Sequence, residues 1–429
     1  MGRSHVNQVD LLIHSAAQLV TCASPQGPRR GAAMRELGIV ADGSVAITGG
    51  RIVAVGPSDD VLGAYEAAEE IDAAGYVVCP GFVDPHTHVV HAGDRADEFE
   101  RRVRGESYEQ IARAGGGILS TMRATRAATV PTLVEQSGAR LREMLELGTT
   151  TAEVKTGYGL DTSSELKLLR VIDRLDRHQP IELVPTFMAA HAVPPDFAGR
   201  AEAYLDSIIE ETLPAAVEWY RGSPFAADGR PMFVDVFCER GAFDLAQSRR
   251  MLQAAKAAGL PLKAHVDEFS ALGGLAMALE LGATSVDHLD ETGPEGFALL
   301  ARSATIAVVI PAVNFNLGAT RFADARSMID AGAAVALTTD INPGSAPCPS
   351  LPLVMAIACR YQKLSPAEAL SAATINAAHA IGLGDRIGSL EPGKQADLLL
   401  LDLPDYRHLA YRFGGNPVAR VVKKGKIVL

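Results

Sequence analysis

Between residues 82 and 340 the chain repeats one arrangement, a short apolar run followed by a longer stretch of helical pattern. The apolar runs fall at 82–88, 150–155, 182–190, 233–238, 261–265, 285–288, 307–311 and 334–340. Helical stretches lie between them, clearest at 132–147, 164–175, 244–258 and 272–281. Short runs without polar alternation suit strands buried on both faces. Strands that alternate with helices are joined as parallel neighbours. Eight such units suggest an α/β protein built on a (β/α)8 TIM-like barrel.

The two ends read differently. Residues 9–22, 44–56 and 70–78 look like strands, with Gly49-Gly50 marking a hairpin. Residues 388–401 and 418–429 are again turn-rich strands. One small β-sandwich domain formed from 1–78 and 386–429, with a barrel over 79–385 inserted, accounts for both ends. Two unrelated β caps are the alternative.

Hydrophobic content of 48% supports a large core. The net charge of −11 disfavours nucleic acid or an anionic membrane as partner. It also means that an anionic substrate needs a local cation. Cys22, Cys79, Cys238, Cys348 and Cys359 are scattered and odd in number, which suits a reduced cytoplasmic protein better than a disulfide framework. Neither a signal-peptide pattern nor an apolar run of about 18 residues is present, so a cytoplasmic location without a membrane span is expected.

Barrel enzymes carry their chemistry at the C-terminal ends of the strands. The first run ends in Asp84-Pro85-His86-Thr87-His88. Strand residues two apart share a face, so His86 and His88 aim at one point. Among eleven histidines such a pair can arise by accident, and alone it divides evenly between half a metal site and two ordinary histidines. The third run ends at or just before His191, the fifth at His265, the sixth at His288 and the eighth at Asp340. His86, His88, His265 and Asp340 together offer three neutral nitrogens and a carboxylate, a set that suits Zn2+ or a first-row neighbour. An accident would have to repeat at one face of the barrel. His5, His14, His178, His379 and His408 lie away from these ends and read as ordinary core or surface histidines.

The H-x-H pair, two later histidines and a final Asp, with a split terminal β domain, resemble the amidohydrolase superfamily. The tail Thr374-Ile375-Asn376-Ala377-Ala378-His379-Ala380 and Gly388-Ser389-Leu390-Glu391-Pro392-Gly393-Lys394-Gln395-Ala396-Asp397 resembles its usual ending. More narrowly, the chain is similar to the imidazolonepropionase family of histidine degradation. The matching motifs are Asp84-Pro85-His86-Thr87-His88 with Ala92-Gly93-Asp94-Arg95, Ala114-Gly115-Gly116-Gly117-Ile118, and Glu153-Val154-Lys155-Thr156-Gly157-Tyr158-Gly159. Ala190-His191-Ala192-Val193-Pro194-Pro195, Asp267-Glu268-Phe269 and Asp340-Ile341-Asn342-Pro343-Gly344-Ser345 complete the match.

That resemblance implies His86, His88, His265 and Asp340 as ligands of one metal per chain, Zn2+ or Fe3+. It makes Glu268 the group that orients or deprotonates the attacking water, and His288 a proton carrier or carbonyl polariser. Asp340 would share in proton transfer besides binding metal. Arg95 would hold a substrate carboxylate, a task for which a bidentate guanidinium is suited. Tyr108, Tyr158, His191, Glu268, Asn342, Gly344 and Ser345 match further substrate contacts. The implied reaction is ring opening of 4-imidazolone-5-propanoate to N-formimidoyl-L-glutamate, carried out by a homodimer. The fourth run offers no lysine to bridge a second metal, and Lys155 on the second reads as a structural ion-pair partner. Gly115-Gly116-Gly117 lacks the G-K-[ST] ending of a phosphate loop and reads as a lid hinge. His91, Val266 and Ile341 depart from the family pattern, which bears on affinity rather than reaction class.

The same metal set would serve another hydrolase of cyclic amides or amidines, including a nucleobase deaminase. Arg95 favours a substrate with a carboxylate tail. A non-enzymatic assembly protein on this scaffold should have lost ligands, and here all four remain.

Overall fold

The computed structural model of the chain describes residues 6–106, 110–111 and 114–429. Eight parallel strands follow one another in space in the same order as in sequence. They are Phe82–Asp84, Thr149–Lys155, Glu182–Ala190, Phe233–Cys238, Lys263–Val266, Ser285–His288, Ile306–Val309 and Val335–Leu337. All their residues are buried except half-buried Phe237, which is why the runs lack polar alternation.

The intervening helices start where capping chemistry allows. Asp161 accepts from Ser164 N at 2.8 Å and opens Thr162–His178. Asp244 and Gln247 form a reciprocal capping box at the head of Leu245–Ala257. Thr162–His178 buries Leu168, Leu169, Val171, Ile172 and Leu175 against the barrel wall. Burying side chains of this size stabilises the packing by about 1.5–3 kcal/mol each.

The first and eighth strands meet through side chains. Asp84 accepts from Thr339 Oγ1 at 2.6 Å, from Thr339 N at 3.2 Å, and from Thr338 Oγ1. Just beyond, His88 N donates to Ile341 O at 3.0 Å. These bonds lay the His86–His88 segment beside the Asp340 segment. The first strand stops at Asp84, short of the expected 88, because Pro85 has no N–H to continue a ladder. The eighth stops at Leu337 because Thr338 and Thr339 hydrogen-bond Asp84 instead.

The two ends of the chain build one separate mixed sheet of eight strands. Val77–Pro80 pairs in parallel with Asn7–Val20 and antiparallel with Leu398–Leu401, so it joins N-terminal to C-terminal strands. Gly81 then leads directly into the first barrel strand, and a Cβ there would fall 2.3 Å from Thr150 Oγ1. Lys423 fastens the sheet to the barrel, with Nζ 2.7 Å from Asp397, 3.1 Å from Glu182 and 3.2 Å from Thr151 Oγ1. Among the described residues, no helix is long and apolar enough to cross a membrane.

Candidate metal centre and substrate pocket

His86 and His88 sit just past the first strand, His265 within the fifth, His288 at the end of the sixth and Asp340 just past the eighth. All five are buried. The His86 ring lies 4.4 Å from His265, 5.3 Å from His88 and 5.5 Å from His288. Side chains far apart in the sequence therefore converge at one mouth of the barrel.

Their hydrogen bonds fix which nitrogens point inward. His86 Nδ1 lies 2.7 Å from Asp287 Oδ2, and His265 Nδ1 lies 3.1 Å from Asp235 Oδ1. A carboxylate partner selects the tautomer with the proton on Nδ1, leaving Nε2 bare. His86 Nε2, His265 Nε2 and Asp340 Oδ1 are buried and have no hydrogen-bond partner. Asp340 Oδ1 stands 3.4 Å from His86 Nε2 and 3.7 Å from His88 Nε2. Acceptors facing one another across such gaps repel unless a cation sits between them. Tetrahedral zinc, with donors at about 2.0–2.1 Å, would hold its ligands about 3.3 Å apart. The donors of His86, His88 and His265 lie within 4.8 Å of one another, as do those of His86, His288 and Asp340. The cluster fits one metal ion.

Burial, and then the charge of Lys155, pushes the His86 imidazolium well below its ordinary range. Burial, and then His191, does the same to His88. Both rings are thus neutral, as ligation requires. Burial drives Asp340 well above the usual carboxylate range, with Asp84 and Asp287 adding to it. A cation in the cluster offsets that cost. Asp267, His288, Leu289 and Asp340 take positive φ of 56°, 83°, 68° and 50°. Such backbone costs of order 1–3 kcal/mol per residue and gathers at functional sites.

The orienting carboxylates Asp235 and Asp287 were not anticipated from the sequence. The signal was a charge inside an otherwise apolar run, in Phe-Val-Asp-Val and Ser-Val-Asp-His. Lys155 is the ion-pair partner its place suggested, 2.7 Å from both Glu153 and Asp235 and 3.7 Å from Asp287. Its ammonium offsets the buried carboxylates under the cluster.

Glu268 lies three residues past His265, with Oε2 3.7 Å from His288 Nε2. Burial lifts it well above the usual carboxylate range, and Asp340, Asp290 and Glu239 add to the shift. On the other side of the cluster the His191 ring stacks on His88 at 5.0 Å and 23°. Tyr158 closes the group, 5.7 Å from His88 and 5.5 Å from His191. His191 Nδ1 meets Gly157 O at 3.1 Å, and Gly157 has φ of 98°. A Cβ at Gly157 would lie 2.9 Å from that nitrogen, so the turn needs glycine.

Arg95, at the head of the helix Ala96–Val103, reaches Gly344 in the loop that follows Asp340. A Cβ on Gly344 would fall 2.1 Å from Arg95 Nη1, so the missing side chain makes room for the guanidinium. Arg95 also pairs with Glu98 at 2.7 Å. The Asn342 amide is engaged within its own loop. It donates to Asp340 O at 2.8 Å, Asp340 Oδ2 at 3.1 Å and Ser345 Oγ at 3.0 Å, and accepts from the Gly344 and Ser345 amides at 2.8 Å. It thus holds the loop and Asp340 in register. Tyr108 lies outside the described residues. Of the departures from the family pattern, His91 is buried with its ring 6.1 Å from Tyr158, and Val266 and Ile341 are buried beside the ligands.

Residues 77–428 match the model of the amidohydrolase family. The chain is 64% identical to the imidazolonepropionase of Chloroflexus aggregans over 98% of each chain. It is 52% identical to that of Herpetosiphon aurantiacus over 98% of this chain and 97% of the other. The chain belongs to the imidazolonepropionase family. Solved structures share the fold at lower identity. An adenosine deaminase from Xanthomonas campestris with bound zinc has a TM-score of 0.71 and 21% identity, covering 99% of this chain and 94% of its own. The E. coli guanine deaminase has a TM-score of 0.69 and 15% identity, covering 97% and 98%.

Proposed function

We propose that this chain opens the ring of 4-imidazolone-5-propanoate to give N-formimidoyl-L-glutamate, with His86, His88, His265 and Asp340 holding a single Zn2+ or Fe3+ ion. The observation that carries the reading is the set of bare, buried donors, His86 Nε2, His265 Nε2 and Asp340 Oδ1, converging without a partner. When bound, such a metal polarises a carbonyl and lowers the pKa of water toward neutrality.

The chain's own groups do the rest. Glu268 takes a proton from the attacking water, a role that suits its place three residues past His265 with Oε2 3.7 Å from His288 Nε2. The oxygen of that water joins the ring carbonyl carbon, the ring C–N bond breaks, and the departing nitrogen takes a proton. His288, facing Glu268 at 3.7 Å, steadies the carbonyl oxygen or relays the proton. Asp340 shares in that proton transfer. His191 and Tyr158 seat the ring. Arg95 holds the carboxylate tail, with Gly344 and Ser345 beside it and Tyr108 as a further contact. Asn342 acts by holding the Asp340 loop. A homodimer divided into a composite β domain of 1–78 and 386–429 and a barrel of 79–385 belongs to the same reading.

Turnover of freshly generated 4-imidazolone-5-propanoate by metal-loaded protein tests it, with Glu268→Gln as control. The wild type should open the ring, and the variant should lose roughly 10²-fold or more in kcat while keeping its metal. Deamination of guanine or adenine without ring opening would overturn the substrate assignment. A Glu268→Gln enzyme at wild-type rate would overturn the assignment of the base.

A further inference from the structure

Glu268 sits in a loop whose neighbours are fastened on both sides. On one side Asp267 accepts from Thr292 Oγ1 at 2.7 Å and, through its carbonyl, from Glu291 N at 2.8 Å. On the other side stand Phe269 and Ser270. Phe269 is 63% exposed, so apolar packing does little to hold this half of the loop. What holds it is Glu239, the residue just past the fourth strand, itself only 4% exposed. Its Oε2 accepts from the Phe269 and Ser270 amides at 3.0 Å each. Its Oε1 accepts from Ser270 Oγ and from Arg240 N at 2.8 Å.

A buried carboxylate that accepts four hydrogen bonds, three from one two-residue segment, is a clamp. Charge-assisted bonds to backbone amides are among the stronger hydrogen bonds in proteins. A misplacement of about 1 Å at a reacting group can cost about 10²-fold in rate. We propose that Glu239 is a positioning residue for hydrolysis, fixing the loop that carries Glu268 by anchoring Phe269 and Ser270 to the end of the fourth strand. The proposal rests on Glu268 as the base.

Glu239→Gln keeps the shape of the side chain and replaces one acceptor by an amide that faces backbone donors. Glu239→Asp keeps the charge and draws the clamp back by one methylene. In metal-loaded enzyme, Glu239→Gln should lower kcat roughly tenfold or more, with KM and metal content near wild type. Hydrogen exchange at the Phe269 and Ser270 amides should quicken, and Glu239→Asp should recover part of both losses. A Glu239→Gln enzyme with wild-type kcat contradicts the proposal, as does one that loses rate only in step with lost metal. If Glu239→Gln does not fold, Ser270→Ala replaces it. That variant should lose kcat with metal retained, and a wild-type rate there overturns the proposal. The Glu268→Gln control separates the two readings. If that enzyme is inactive while Glu239→Gln is fully active, only the positioning role falls. If Glu268→Gln is fully active, the base assignment falls first.

Discussion

Lys155 on the second barrel strand lies 2.7 Å from Asp235 on the fourth, and both side chains are wholly inaccessible to solvent. Burial works against the lysine's charge, but Asp235, Glu153 and Asp287 outweigh it and hold the ammonium above its ordinary pKa. Asp235 orients His265 and Asp287 orients His86, so one ammonium sits under the carboxylates of two proposed ligands. Taking it away would leave carboxylates facing one another in a dry interior. Lys155→Met should therefore cost about 3–5 kcal/mol of stability, the usual result of breaking a buried ion pair. Urea unfolding of wild type and variant measures it, and a loss below about 1 kcal/mol would show that Lys155 carries no such burden.

Asp235→Asn and Asp287→Asn should each weaken metal binding about 10–100-fold while the fold persists. Each change replaces a carboxylate that fixes the Nδ1–H tautomer by an amide that does so less strongly. Competition with a chelator reads the affinity directly, and unchanged affinity in both variants would deny these carboxylates their orienting role.

The strand ends were legible in the sequence because period and position carry that information. His86, His88, His265, His288 and Asp340 all fall at one face because each lies at or just past the end of an apolar run. Partners across the barrel were not legible. Nothing in Phe-Val-Asp-Val says that Asp235 serves His265 on the next strand, since hydrophobic period marks a face and not a neighbour. Barrel closure by Asp84 and the two threonines was hidden for the same reason. Asn342 matches a substrate contact by motif; that its amide also ties Asp340 to Gly344 is a fact of three-dimensional geometry that the motif does not carry.

Arg95→Ala should lower kcat/KM about 10- to 150-fold, the worth of a charged hydrogen bond of roughly 1.5–3 kcal/mol, chiefly through KM. Gly344→Ala should act in the same direction, since its Cβ would fall 2.1 Å from Arg95 Nη1. Steady-state kinetics checks both. An unchanged KM in Arg95→Ala would place the carboxylate elsewhere.

Asp290 is buried, accepts from Asn314 Nδ2 and Ala323 N at 3.0 Å each, and is pushed up to about 7, first by burial. An unfolded aspartate titrates near 3.9. Between those values the native state holds a proton that the unfolded chain has released, so this group's contribution to stability falls as pH rises from about 4 to about 7. Asp290→Asn cannot ionise and should remove that slope, gaining on wild type as pH rises from about 4 to about 7 and keeping that gain above it. Melting temperatures of both proteins at pH 5 and pH 8 check the sign. A wild-type loss across that range equal to the variant's would contradict it.

The most direct measurement is anomalous diffraction at the metal edge from metal-loaded crystals. One peak per chain is predicted, about 2.0–2.2 Å from His86 Nε2, His88 Nε2, His265 Nε2 and Asp340 Oδ1. A peak bound by other residues, or a second peak of equal height in the same cluster, would contradict the single site built by those four side chains.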